Sequence, residues 1–137
     1  MPHNNLAIIL RDQHKIEEAI AEYRKAIELN PRDAKFHYNL GLGLRDQHKN
    51  EEAIRESRKA IELDPSLAAA HAALGAALNG QHKTDEAIAE YRKAIELDSR
   101  DADSHHNLAV ILRKQGKIKE ADAEDQKAKE LGAKHPD

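Results

Sequence analysis

The chain contains no cysteine and no tryptophan. Disulfides, thiolate metal sites and thiol catalysis are therefore excluded. Aromatic residues are 3% of the 137 residues, three tyrosines and one phenylalanine, so any core is built from Leu, Ile and Ala. Six glycines and four prolines are too few for a low-complexity chain. No apolar run approaches the ~18 residues that span a bilayer, so no membrane partner is expected. Neither sign of charge dominates: 22 Lys and Arg face 25 Asp and Glu, a formal net charge of -3. That balance gives no general attraction to nucleic acid. Met1-Pro2-His3-Asn4 lacks the charged-then-apolar layout of a secretion signal. A soluble, cytoplasmic protein is the expectation.

What is present is repetition. One pattern restarts at His3, His37, His71 and His105, every 34 residues. The first two copies, HNNLAIILRDQHKIEEAIAEYRKAIELNP and HYNLGLGLRDQHKNEEAIRESRKAIELDP, share most of their residues. Within each copy, apolar residues recur at helical spacing on both sides of a short polar stretch, DQHK in the first two copies. Each copy therefore reads as helix–turn–helix. Acids open the second helices at Glu17-Glu18, Glu51-Glu52 and Asp85-Glu86, where they meet the positive end of the helix dipole. Asn50 and Thr84 are the expected N-caps there, and Asp33 and Asp101 those of the following first helices. Pro31 and Pro65 are expected to stop the helices before them.

The residues that recur resemble the tetratricopeptide repeat: Leu40-Gly41, Leu44, Ala53, Ala60 and Pro65 in the second copy, and Leu74-Gly75, Leu78, Ala87, Tyr91 and Ala94 in the third. The resemblance covers the whole chain. It implies an all-α fold, a right-handed α-solenoid of four helix–turn–helix repeats with eight helices. A single domain over residues 1–137 follows, with repeats at about 1–33, 34–67, 68–101 and 102–137. A hairpin of this kind cannot bury its apolar face alone, so neighbours stack. Small residues at the seam let paired helices approach closely.

Four departures from the family pattern carry expectations. Histidine stands at His3, His37, His71 and His105, where the family often has tryptophan. One histidine per repeat places equivalents on the order of 10 Å apart, too far for one zinc ion, so they are read as interface fillers with a polar tip. His14, His48 and His82 take the place of a glycine, present here as Gly116. A helix-ending residue with positive φ is expected at these sites. In the last helix Asp122, Asp125 and Lys129 replace the apolar residues of earlier copies, so that helix is expected to face water and cap the array. Ser57 stands where Tyr23 and Tyr91 have a ring, and a loss of filling is expected there unless Phe36 or Tyr38 moves in.

The resemblance also implies use: most such domains bind peptides or proteins along a concave groove lined by the first helices. Carried over residue by residue, that groove holds Asn5, Asn39, Ala73 and Asn107. The set is similar to the asparagine ladder of the O-linked N-acetylglucosamine transferase superhelix, with Ala73 as a gap. A carboxamide both donates and accepts, so it matches a peptide unit whatever its side chain. Arg11, Arg45, Asn79 and Arg113 form a second row, suited to carboxylates. Lys35, Tyr38 and His106 complete the expected lining. The chaperone-binding carboxylate clamp is excluded, because its places hold Asn4, Ile8, Asn39, Ala69 and Ala73, or, one repeat on, Tyr38, Leu42, Ala73, Asp103 and Asn107.

No catalytic motif is present. The recurring His-Lys-x-acid-Glu string is not the spacing of a zinc protease, and there is no phosphate loop or nucleophile elbow. The sequence thus points to a non-enzymatic scaffold without cofactor or metal, binding an extended peptide or a protein. The alternative is a self-associating array, a weak homo-oligomer through its N-terminal helices, where Leu6, Ile9 and Leu10 have no preceding repeat.

Overall fold

The computed structural model describes the backbone of residues 5–133 and the side chains of residues 13–132. Seven helices follow one another among the described residues: α1 (Asn5–Leu29), α2 (Ala34–Asp46), α3 (Asn50–Leu63), α4 (Ala68–Gly80), α5 (Thr84–Leu97), α6 (Ala102–Lys114) and α7 (Ile118–Ala133). No strand occurs among the described residues. Helices α2–α3, α4–α5 and α6–α7 form three hairpins, each packed on the one before it, and α1 packs on α2. The fold is the expected all-α solenoid, one helix short.

The seam inside each hairpin is made of small residues. Ala53, Ala60, Ala87, Ala94 and Ala121 are 0 to 1% exposed. A Cβ built on Gly41 would lie 2.8 Å from Ser57 Oγ, and one on Gly75 would lie 3.1 Å from the Tyr91 ring. Neither place has room for a larger residue, so the helices touch backbone to side chain. Beside this seam the six leucines of the first helices, Leu40, Leu44, Leu74, Leu78, Leu108 and Leu112, are buried. Each such burial contributes roughly 1.5–3 kcal/mol.

The turns inside the three hairpins share one form. His48, His82 and Gly116 have φ of 63°, 62° and 80°. The N–H of the next residue reaches back five places, Lys49 to Leu44 O at 2.9 Å and Lys83 to Leu78 O at 2.9 Å. This is a Schellman end, in which a left-handed residue satisfies the last carbonyls of a helix. The expected positive φ is found at all three. The first repeat differs. His14 is helical, and its Nε2 lies 2.7 Å from Glu18 Oε1, one turn on. The DQHK string at residues 12–15 therefore continues a helix, while the same string at 46–49 ends one. This is why there are seven helices and not eight among the described residues.

Caps divide in the same way. Asp33 accepts from the N–H of Lys35 at 2.9 Å, and Asp101 accepts from Asp103 and Ser104 at 3.1 and 3.3 Å. Both act as expected. Asn50 and Thr84 do not: Lys49 and Lys83 occupy the cap positions, without side-chain bonds. The Schellman end fixes those residues already, which leaves Asn50 inside the helix with its amide against Gly80.

The described histidines of the 34-residue series are more than fillers; His3 lies outside the described residues. His37 Nδ1 is 2.8 Å from Glu56 Oε1, and its Nε2 is 2.8 Å from the Pro31 carbonyl. His71 meets Glu90 at 2.8 Å and the Pro65 carbonyl at 3.1 Å. His105 meets Glu124 at 2.6 Å and the Ser99 carbonyl at 3.0 Å. All six partners are acceptors. A ring with one N–H serves one of its two partners, and an imidazolium serves both. Each buried ring thus ties a turn, a first helix and a second helix together.

Ser57 is fully buried, and its hydroxyl has no hydrogen-bond partner. Tyr38 does not fill in for the missing ring, because it packs over Ala34, Ala60 and Ala70 instead.

Three stability changes are expected, each read as a shift in a urea unfolding curve. Replacing His71 by Leu strips two acceptors of their donor and should cost about 2 kcal/mol. An unshifted curve would refute the clamp. Ser57→Ala removes an unsatisfied hydroxyl and should gain about 1 kcal/mol; a loss would mean that the hydroxyl is bonded in solution. His82→Gly relieves a left-handed β-carbon and should gain about 1 kcal/mol, and a destabilised variant would show that the imidazole itself holds the turn.

Candidate functional site

The first helices of the hairpins, α2, α4 and α6, contribute most of the lining of two hollows. The two hollows adjoin at α4. One, of about 150 Å³, is lined by Arg45, Ala76, Asn79, Tyr91, Asn107, Val110 and Ile111. The other, of about 380 Å³, is lined by Arg45, Asp46, His48, Asn50, Ala76, Asn79 and Gly80. Arg45, Ala76 and Asn79 belong to both.

The floor of the smaller hollow is the hydroxyl end of Tyr91. Its ring is locked over Gly75, and burial pushes the phenol up to about 12, against the opposing influence of the Arg45 guanidinium. The Asn107 amide faces the same phenol and also opposes that rise. The phenol therefore stays protonated near neutral pH. A neutral phenol, two amides and one cation surround a strip of Ala76 and Val110. Such a set gives donors and acceptors beside an apolar contact.

The expected lining residues separate into distinct places. Arg45 and Asn107 come together, from helices two repeats apart. Arg45 also donates to Asp46 at 2.9 Å, which tempers its charge. Asn39 is half-buried on α2. Arg113 is engaged elsewhere: its guanidinium lies 2.8 Å from Asp122 and 2.9 Å from Asp125. This fork holds the Asp125 carboxyl below the ordinary carboxylate range. His106 lies 3.5 Å from the same Asp125. Tyr38 is packed into the junction of α2, α3 and α4. Lys35 lines a separate hollow with Asp33, Leu63 and Asp64. The side chains of Asn5 and Arg11 lie outside the described residues. Ala73, the gap in the asparagine series, is buried.

Sequence reasoning missed Tyr91, Val110 and Ile111 as lining residues. Tyr91 reads as core aromatic, which it also is. Asn79 was visible in the arginine row, standing where its neighbours have Arg45 and Arg113.

The tetratricopeptide repeat family models match nearly the whole chain. One, described as TPR repeat, matches residues 8–42, 44–81 and 79–116, and a second, described as tetratricopeptide repeat, matches residues 102–137. No curated protein sequence matches. Among solved structures, MamA (residues 41 to the end) from Desulfovibrio magneticus RS-1 is 22% identical, with a TM-score of 0.78 over 95% of this chain and 73% of that one. A crystal structure of MamA is 23% identical, with a TM-score of 0.75 over 95% of this chain and 76% of that one. At that identity the likeness concerns the fold. The family matches, the three described hairpins and their alanine seams together establish that the chain belongs to the tetratricopeptide repeat family.

Proposed function

We propose that this repeat scaffold is a non-enzymatic binding module that holds an extended peptide along α2, α4 and α6. The observation that carries the reading is the meeting of Arg45, Asn79, Asn107 and Tyr91 in one hollow of about 150 Å³. Asn107 and Asn39 offer carboxamides to a peptide backbone, as two rungs of a ladder with a gap at Ala73. Asn79 restores an amide about 9 Å further along α4. Arg45 suits a carboxylate on the ligand. Arg113 and His106 play a different part here, because Asp122 and Asp125 already hold them. Residues 1–137 act as one four-repeat unit in this reading, with that carboxylate pair turning the last helix toward water. No helix among the described residues is long and apolar enough to cross a membrane, and the protein is read as cytoplasmic, without cofactor or nucleic-acid partner.

A second reading, self-association through the N-terminal helices, has an observation of its own. Ala19 and Ala26 on α1 are half-buried, while their counterparts Ala53, Ala60, Ala87 and Ala94 are closed off.

Peptides selected on the wild-type chain from a random display library should test the groove. Binding of those peptides to Arg45→Ala is expected to fall by about ten-fold or more, the loss that one charge-assisted hydrogen bond represents. Asn107→Ala should weaken it as well, and Arg55→Ala, exposed on α3 and lining neither hollow, should leave it unchanged. Peptides that bind all three variants alike would place recognition elsewhere.

A further inference from the structure

The open seat on α1 lies next to a segment of the same helix that has no way to fill it. Residues 16–29 carry Ala19 and Ala26, half-buried at the places where Ala53 and Ala60 in α3 and Ala87 and Ala94 in α5 are closed off, and between them Tyr23 is only partly buried although it reaches the core together with Ile16 and Ile27. In the first repeat the place of a hairpin's first helix falls to residues 5–13. Its sequence is of the covering kind: Leu6, Ala7 and Leu10 stand where α2 has Leu40, Gly41 and Leu44, and where α4 has Leu74, Gly75 and Leu78. Those six residues are all buried. Yet α1 is one 25-residue helix, about 37 Å long. It runs on through His14, and the His14–Glu18 pair spans the point where the other hairpins turn. A helix that does not turn cannot lay its own beginning on its own end.

We propose that two copies of this chain exchange these segments. Residues 5–13 of one copy lie antiparallel on residues 16–29 of the other, and the reverse contact forms at the same time. Insert and seat sit on one helix, either side of residues 12–15, so a single two-fold axis near His14 satisfies both. The pair closes on itself and leaves no open seat from which a filament could grow. The hinge is the DQHK string, which makes a turn at residues 46–49 and a continuous helix at 12–15. The exchange rests on the self-association reading and gives it a specific form, distinct from two N-terminal faces stacking without exchange.

The absence of native cysteine makes the test direct. Gly41 and Ser57 face each other within one hairpin, as do Gly75 and Tyr91. The matching places in the first repeat are Ala7 and Tyr23, a separation a disulfide can bridge. Full-length chains carrying Ala7→Cys alone and Tyr23→Cys alone are mixed, unfolded and refolded together, and oxidised mildly. The exchanged pair should give a covalent heterodimer on a non-reducing gel. The double variant should likewise shift from 15.3 kDa to twice that mass. Light scattering on the unaltered chain guards against a variant that fails to fold and should report the dimer mass. A double variant that bridges within one chain overturns the exchange, since the segment then folds back on its own copy. An unaltered dimer without any bridge also overturns it, while leaving association by stacked faces standing. A monomer at every concentration removes both.

Discussion

Close approach of paired helices is the constraint on which the rest of this structure depends. At the seam of each described hairpin the side chains are Ala53 and Ala60, Ala87 and Ala94, or Ala121, and the facing places hold Gly41, Gly75 and Ala109. A methyl group or less on each side sets the distance between the helices. The leucines beside the seam are buried because that distance is short, and the tyrosine ring comes close to Gly75 for the same reason. Ser57 shows the cost of a local departure. With the ring absent, Gly41 comes up against a hydroxyl that nothing bonds. The solenoid then follows, because a seam buries only one face of a hairpin and the next hairpin must cover the other.

The buried histidines add direction to this non-directional packing. Each reaches a glutamate 19 residues on, across the hairpin, and a carbonyl six residues back, in the preceding turn. Apolar contact tolerates a sliding helix, but two hydrogen bonds at fixed angles do not. The repeat-to-repeat register is therefore pinned at His37, His71 and His105. Here the sequence was only partly legible. Periodicity placed these residues on the inner face of a helix, and composition suggested a polar tip. Nothing local named the glutamate, which belongs to another helix and looks like any solvated acid of a charged face. By contrast, the positive φ at His48 and His82 was readable, because Gly116 stands in the same series and names the requirement. The caps divide along the same line. Asp33 and Asp101 act alone and were legible. Asn50 and Thr84 were displaced by a turn whose form depends on two neighbouring residues at once.

The groove shows how identical places in a repeat acquire different roles. Arg45 and Arg113 are equivalent in sequence. Arg45 has Ala76 and Asn79 for neighbours in the next repeat and borders a hollow. Arg113 has α7, where Asp122 and Asp125 stand in place of Ile88 and Tyr91, and is bound by them. The acids that read as a water-facing surface thus also pair with the last arginine and stand beside His106. A row of equivalent residues can be read from one repeat, but its end effects cannot, because they depend on what the next helix presents.

The helical run through His14 extends the same logic to the first repeat. The DQHK string ends a helix at residues 46–49 and continues one at 12–15, so the string alone does not decide. Turning costs a left-handed conformation at a residue with a β-carbon, about 1–2 kcal/mol. It also gives up the intrahelical bonds that a straight helix would keep. What repays the turn is the seam it closes: two alanines covered and two leucines buried against the second helix, at roughly 1.5–3 kcal/mol for each leucine. The two states are then separated by little more than where the covering segment comes from. If the seam of residues 16–29 is closed by a segment from a second copy, the burial is kept, the helix stays straight and the left-handed histidine is avoided. The first repeat is accordingly the place where a few kilocalories decide between a hairpin and a shared helix.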